Sequence, residues 1–365
     1  MVRTEKSPAD LPDARARRIR LRSQLLHGSD LAPADVVQRA VALQGQDLPA
    51  VLRAIAIRSR PGTTVQDVRD AFDRGELVRS WPMRGTLFAT TPEHLAVLLH
   101  FTGERTRTMA ARRRSQLGLE KTVLDRSRSC LQEALGERPL RRAEVMELWS
   151  GAGIATADGR GYHLLMHLAV EGLIHWGRFA PSGTEQLVTL TLQSDASAAP
   201  DADLAAIVRG FVLARGPVSA ADPAWWTKLP KTAVRKAAAD IEDLVQVEVR
   251  GQPAWLIRDP GEGEPFGEDS EIAEPSGVML VPGFDEWILG YADRSLVAGP
   301  AVLQALVPGG NGVFRPAVLV DGVVVGTWRP PRGKRGAEPV INLVEAVPAA
   351  TRRAIEEAVA GWPHG

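Results

Sequence analysis

Between residues 203 and 257 the chain reads helix, helix, helix, hairpin, and this order limits the available folds more than any other feature. DLAAIVRGFVLARG is apolar at helical spacing, Ser219 is placed to cap SAADPAWW, and Pro230 opens PKTAVRKAAADIEDL. LVQVEVRG and QPAWLI then alternate in polarity and meet at Gly251, which predicts a β-hairpin. That succession is the order of a winged helix. It recurs upstream, with helices over 124–135, 141–150 and 161–172 and a wing made of LIHWG and QLVTLTL around the Pro181-Ser182-Gly183 turn. A looser copy occupies 13–90: a basic helix over 13–26, further helices over 33–43, 49–57 and 65–74, and strand-like LVRSW and GTLFATT.

The expected fold class is therefore α+β, with three winged-helix modules in tandem at 1–115, 116–195 and 200–262. A β-rich unit at 278–365 follows, in which Asp321-Gly322 between β-branched residues marks a hairpin and 349–360 a closing amphipathic helix. Small, polar or acidic segments at 194–203 and 259–277 are the expected linkers.

With 365 residues and 44% hydrophobic content, the chain can bury the cores of about two to four domains. It shows no apolar run of signal-peptide or membrane-spanning length, which predicts a cytoplasmic, nucleoid-associated protein with no membrane partner. Cys130 is the single cysteine, so an internal disulfide and a cysteine-built zinc site are both excluded.

A net charge of zero conceals an uneven distribution. Residues 1–115 hold 20 Arg/Lys against 12 Asp/Glu, residues 116–195 hold 8 against 10, and residues 196–365 hold 16 against 22. The N-terminal third is the expected polyanion face, and its bases are nearly all arginine, which forks onto phosphate oxygens in pairs. The plainer reading is a set of solvated helix faces in a protein that prefers arginine.

Gln44-Gly45-Gln46 places two neutral amides around a glycine corner, between the helical run ending at 43 and the one opening near 49. Taken alone, Gly45 fits the left-handed position that ends a helix, with two exposed glutamines beside it. Its company changes that reading. Met83-Arg84-Gly85-Thr86-Leu87, Ala224-Trp225-Trp226, Leu280-Val281-Pro282-Gly283-Phe284-Asp285-Glu286-Trp287, Asp293-Arg294-Ser295, Asn311-Gly312-Val313-Phe314-Arg315-Pro316 and Val325-Gly326-Thr327-Trp328-Arg329 occur in that order. Together with the glutamine triplet they resemble the winged-helix DNA glycosylases of the AlkZ/YcaQ type, bacterial enzymes that remove bulky alkylated bases.

The resemblance implies a monomer without cofactor or metal, curved around double-stranded DNA that carries alkylated guanine, with Gln44 and Gln46 as catalytic residues. It further implies DNA contacts from Arg84, Thr86, Arg315, Trp328 and Arg329, and a site lined by Gly45, Asp47 and Phe88. Bulky natural-product adducts or interstrand crosslinks are the implied substrates, and repair or antibiotic self-resistance the implied role. Two positions depart from the family pattern, which usually has a larger apolar residue at Gly45 and often histidine at Phe88.

An amide has essentially no proton affinity at neutral pH, so two glutamines make a poor general base. Guanine alkylated at N7 needs none, because it is already cationic and leaves without acid assistance. What remains is an electron-poor sugar and a water to be delivered to C1′. Amide oxygens serve both needs without burying an unpaired carboxylate.

Other candidates carry less. His163 and His167 are four apart on a helix with Glu171 beyond, yet Leu164 stands where zinc hydrolysis needs a glutamate base. Asp285 and Glu286 are paired acids, better read as ion-pairing or turn-bonding than as a base, with Asp285 kept as a site candidate. Arg105, Arg107 and Arg112-Arg113-Arg114 form the densest basic run and are expected on phosphates. The competing class is a winged-helix DNA-binding regulator with no chemistry.

Overall fold

Helix ends in the N-terminal region follow residue type closely, and one of them moves the glutamines off a helix. The computed structural model describes residues 9–191, 203–258, 277–330 and 338–363, so most of both expected linkers lies outside the described residues. A short strand, β1 (Ala9–Leu11), precedes α1 (Asp13–Ser23) and α2 (Pro33–Ala40), whose first turn holds a proline. Val41 then takes φ 66°, ending the helix three residues before the expected 43. The chain enters β2 (Ala42–Gln44) instead.

Asp47 caps α3 (Leu48–Ala56) by accepting from the Ala50 N–H at 2.9 Å, and Thr64 caps α4 (Val65–Asp73) in a reciprocal box with Asp67. Strands β3 (Val78–Met83) and β4 (Thr86–Thr90) are joined by Arg84 and Gly85 at φ 58° and 69°, the pair of left-handed residues a tight type I′ hairpin requires. The longest helix among the described residues, α5 (Pro92–Gln116), belongs to none of the expected module helices.

Next come α6 (Lys121–Glu137), α7 (Arg142–Gly151), α8 (Arg160–Val170), β5 (Ile174–Phe179) and β6 (Gln186–Leu190). The same order repeats in α9 (Leu204–Arg215), α10 (Ala221–Thr227), α11 (Lys231–Ala239), β7 (Leu244–Val249) and β8 (Gln252–Ile257). The C-terminal unit holds β9 (Val278–Val281), α12 (Glu286–Leu289), α13 (Pro300–Leu306), β10 (Ala317–Val320), β11 (Val323–Arg329), β12 (Val340–Leu343) and α14 (Ala349–Ala360). Asp321 and Gly322, both left-handed, turn β10 into β11 as their sequence predicts.

Strand pairing sews these segments together. The first two hairpins merge into one five-stranded sheet, β2-β4-β3-β5-β6, through Arg79 opposite Trp176. β1 runs parallel to β7 in a sheet of order β1-β7-β8, while the C-terminal strands form β12-β11-β10-β9.

Side chains follow the same seams. Trp81 on β3 lies edge-on to Trp176 at 4.8 Å and shares a core with α6, α7 and α8. Leu11, Ala16 and Leu21 pack with Trp287, Val297 and Leu319, so the N-terminal strand and helix belong to the core of the C-terminal unit. Phe88 and Val41 join Phe211 and Trp226 in a third core. A buried tryptophan removes about 150–250 Å2 from water, on the order of 4–6 kcal/mol, so these seams bind the segments firmly.

Candidate active site

The glutamine triplet continues the edge of a sheet. β2 pairs with β4 as far as Gln44 opposite Phe88, and the Gly45 N–H then donates to the Leu87 carbonyl at 2.7 Å. One step on, the Gln46 side chain replaces the backbone, its Oε1 accepting from the Leu87 N–H at 3.2 Å. Gly45 is buried and does not occupy the left-handed region, so the helix-capping glycine expected from sequence is corrected to a glycine of close approach. A Cβ there would meet the Ala89 nitrogen at 2.9 Å and the Phe88 carbonyl carbon at 3.0 Å, and backbone atoms cannot swing aside.

The two amides have unlike surroundings. Gln44 is 5% exposed, and its Oε1 accepts from Arg84 Nη2 at 2.9 Å. Gln46 is exposed. Arg79 donates to the Gly45 carbonyl at 3.0 Å, closing the grip on the triplet from the other side. Burial pushes both guanidiniums down, Arg79 to about 10 and Arg84 to about 10; for Arg84 the nearby Glu286 opposes the fall, and Arg294 and Arg215 add to it. Both remain cations at neutral pH.

Behind the strand lies a buried network of charges. Glu286 accepts from the Gln44 backbone N–H at 2.9 Å with one carboxylate oxygen, and from Arg215 Nε at 2.9 Å with the other. Arg215 also donates to the carbonyls of Ala40 and Ala42, on either side of the Val41 kink. Asp285 caps α12 through the Trp287 N–H and pairs bidentately with Arg58 at 2.8 and 2.9 Å. Gln24 links Arg58 to the Tyr291 hydroxyl. Four distant parts of the sequence thereby fix one three-residue strand. Asp285, a site candidate from sequence, stands at the start of a short helix and is held in this support.

A cleft of about 670 Å3 opens one residue beyond Gln46. Asp47 and Arg53 line it from α3, Phe179 and Thr184 from the second hairpin, and Phe284, Phe314 and Arg315 from the C-terminal unit.

The family profile of AlkZ-like DNA glycosylases matches residues 37–363, which take in this strand, the cleft and all of the support except Gln24. The chain belongs to the AlkZ-like DNA glycosylase family. It is 25% identical over 306 residues to the interstrand DNA cross-link repair glycosylase of Streptomyces sahachiroi, covering 80% of this chain and 81% of that relative. The solved structure of Streptomyces sahachiroi DNA glycosylase AlkZ superposes with a TM-score of 0.74 over 96% of this chain and 97% of that one, at 21% identity, so the two share a fold. No helix among the described residues is long and apolar enough to cross a membrane.

In this AlkZ-like frame the remaining predicted residues fall into separate places. Arg105, Arg112 and Arg113 are exposed on α5, while Arg107 and Arg114 are half-buried and linked by a bond from Arg114 Nη1 to the Arg107 carbonyl. Thr86 is half-buried at the foot of the Arg84 hairpin. Arg315 lines the cleft and Arg329 stands exposed at its edge. Trp328 lies at the cleft as well but is 2% exposed: its indole donates to the Val281 carbonyl and lies edge-on to Trp362 at 4.9 Å. Phe88 is fully buried and meets Trp226 edge-on at 5.7 Å, so it shapes the sheet beneath the site through its backbone.

His167 bonds Glu171 at 3.2 Å. Burial works to raise the Glu171 carboxyl, but His167 and Arg128 hold it down to about 2. Among the described residues no group of three or more His, Cys, Asp or Glu is placed to hold a metal ion. Sequence reasoning missed Arg58, Arg79 and Arg215, which stand at the ends of apolar runs or within a strand and carry no spacing signal. Glu286 was visible only within a motif.

Proposed function

We propose that this glycosylase hydrolyses the N-glycosidic bond of N7-alkylated guanine in duplex DNA, with Gln44 and Gln46 as its catalytic residues. The observation that carries this reading is the exposed Gln46 amide beside Gln44, whose side-chain oxygen is held by Arg84 and whose backbone N–H is held by Glu286. Each amide oxygen has two lone pairs, and Arg84 and the Leu87 N–H each occupy one. The second lone pair on Gln46 accepts from the attacking water, and that on Gln44 faces the positive sugar.

As the C1′–N9 bond breaks, its electron pair neutralises the cationic purine. Water forms the new C1′–O bond and releases its proton to solvent. No carboxylate base is needed, and a buried charge in that position would be costly.

The substrates we assign are bulky adducts and interstrand crosslinks, the latter being what the Streptomyces sahachiroi relative is named for. The aromatic cleft beyond Gln46 offers room that a tight base-flipping pocket does not. We further assign the three helix-and-hairpin segments as winged helices that, with the C-terminal unit, curve as a monomer around the duplex. Repair or self-resistance in the bacterial nucleoid is the corresponding role.

The test is release of base from duplex carrying N7-methylguanine, followed by hot alkali and strand scission at the abasic site. A crosslinked duplex adds a second readout, separation of its strands. Gln46→Ala is expected to slow single-turnover release by about 10²–10³-fold with duplex binding retained, the usual loss for one preorganised polar group. Absence of scission from every N7 adduct with wild-type protein overturns the chemistry and leaves a DNA-binding module.

A further inference from the structure

We propose that Arg84, Arg294 and Lys228, gathered around the Trp225 indole, form an anion subsite that takes one phosphodiester of the damaged strand. The ligand rests on the glycosylase reading above; the geometry does not. Arg84 Cζ lies 4.4 Å from the indole centroid, Arg294 Cζ 5.2 Å and Lys228 Nζ 5.8 Å. Lys228 is exposed at the left-handed end of α10, and Trp225 and Arg294 are half-buried.

These cations have little anionic company. Arg84 gives Nη2 to Gln44, and its Nη1 is buried without a partner. Arg294 spends Nε on the Ile288 carbonyl at 2.7 Å, and its two terminal nitrogens donate to no acceptor among the described residues. Glu286, the acid that acts on Arg84, is already engaged by Arg215 and the Gln44 N–H.

Gathering three cations at one ring is unfavourable unless an anion is shared. The indole face offsets only part of this. Burial and neighbouring arginines already pull the Arg84 guanidinium down, the mark of positive charge crowded in a poorly hydrated place. A tetrahedral oxyanion meets this need: Arg294 offers both terminal nitrogens as a fork, and Arg84 offers the Nη1 it does not give to Gln44.

The location gives the subsite its purpose. Arg84 touches both the Trp225 ring and Gln44, so a bound anion sits one guanidinium away from the catalytic amide. On its other side Arg294 reaches the Phe314 ring at 5.5 Å, and Phe314 meets Phe284 at 6.2 Å on the wall of the cleft. A phosphate held here sets the register of the strand between the glutamines and the cleft.

The experiment places single methylphosphonates at successive positions along the damaged strand of an N7-methylguanine duplex and measures binding by anisotropy. In wild-type protein one position is expected to weaken binding about tenfold, the loss of a charged hydrogen bond. In Arg294→Gln/Lys228→Gln the same substitution should change binding less than about twofold. Lys228→Gln alone changes an exposed residue, should leave the melting temperature unmoved, and should give an intermediate loss.

A flat methylphosphonate series, or one that the variants do not blunt, overturns the subsite; a site for free phosphate would give the flat series. Coupling without base release retains the subsite and removes the glycosylase chemistry. Base release without coupling does the reverse.

Discussion

On the C-terminal half of α5, Arg105, Arg112 and Arg113 stand in solvent, whereas Arg58 and Arg215 behind the glutamine strand are 2% and 1% exposed. The first set is crowded in sequence and easy to notice; the second is scattered, and its members meet only in the folded chain. Exposed guanidiniums contribute little to stability, because water and salt screen them and long side chains lose entropy when fixed. They are free to meet phosphates. A buried guanidinium is costly unless its donors are met, and Arg58 and Arg215 each have a bidentate or doubly engaged carboxylate together with backbone or amide acceptors. Density of charge along the chain thus marks an exposed face. Convergence of charge in space marks what holds the glutamine strand still.

That contrast breaks most severely if the buried set proves dispensable. Asp285→Ala leaves the Arg58 charge uncompensated inside the protein and is expected to destabilise it by about 3–5 kcal/mol in urea denaturation. A loss under about 1 kcal/mol would put this cluster on a par with surface ion pairs. Gly45→Ala comes next, at about 1–3 kcal/mol, since its methyl group must push β2 from the backbone of β4 while Arg79, Arg84 and Glu286 hold the strand in place. Base release should fall with it. Unchanged melting and excision together would show that the strand is not clamped.

Much of the architecture can be read from residue order because local chemistry decides it. Caps, prolines and left-handed turn pairs place α9, α10, α11, the β7–β8 hairpin and the Asp321-Gly322 turn close to where sequence puts them. β2 is different. Three residues do not make a strand by propensity, and only pairing with β4 draws Ala42–Gln44 out of the preceding helix. Val41 at φ 66° is a conformation that a valine adopts only under such tertiary constraint.

The triplet itself is recognisable through its family motif, but the difference between its two amides is not. Gln44 is buried because a type I′ turn 40 residues away delivers Arg84 onto it. Trp328 shows the same limit: a tryptophan beside an exposed arginine at a hairpin end reads as scaffold or as a probe, and only the fold shows it packed against Trp362 at the cleft.

The mildest prediction tests the exposed side of the comparison. Arg112→Gln/Arg113→Gln removes two charges from solvent on α5, so stability should stay within about 0.5 kcal/mol of wild type. Base release at saturating protein should also be unchanged, because the Arg113 side chain bonds within its own helix, to Gln116, and both residues stand exposed on α5 rather than in the support of the glutamine strand. What should fall is affinity for any duplex, damaged or not, with the slope of log K against log salt shrinking by about 0.9 for each phosphate no longer neutralised. If the slope holds and affinity is unaltered, the dense arginine run is a solvated helix face, and the cations around Trp225 and at the cleft become the first candidates for phosphate contact.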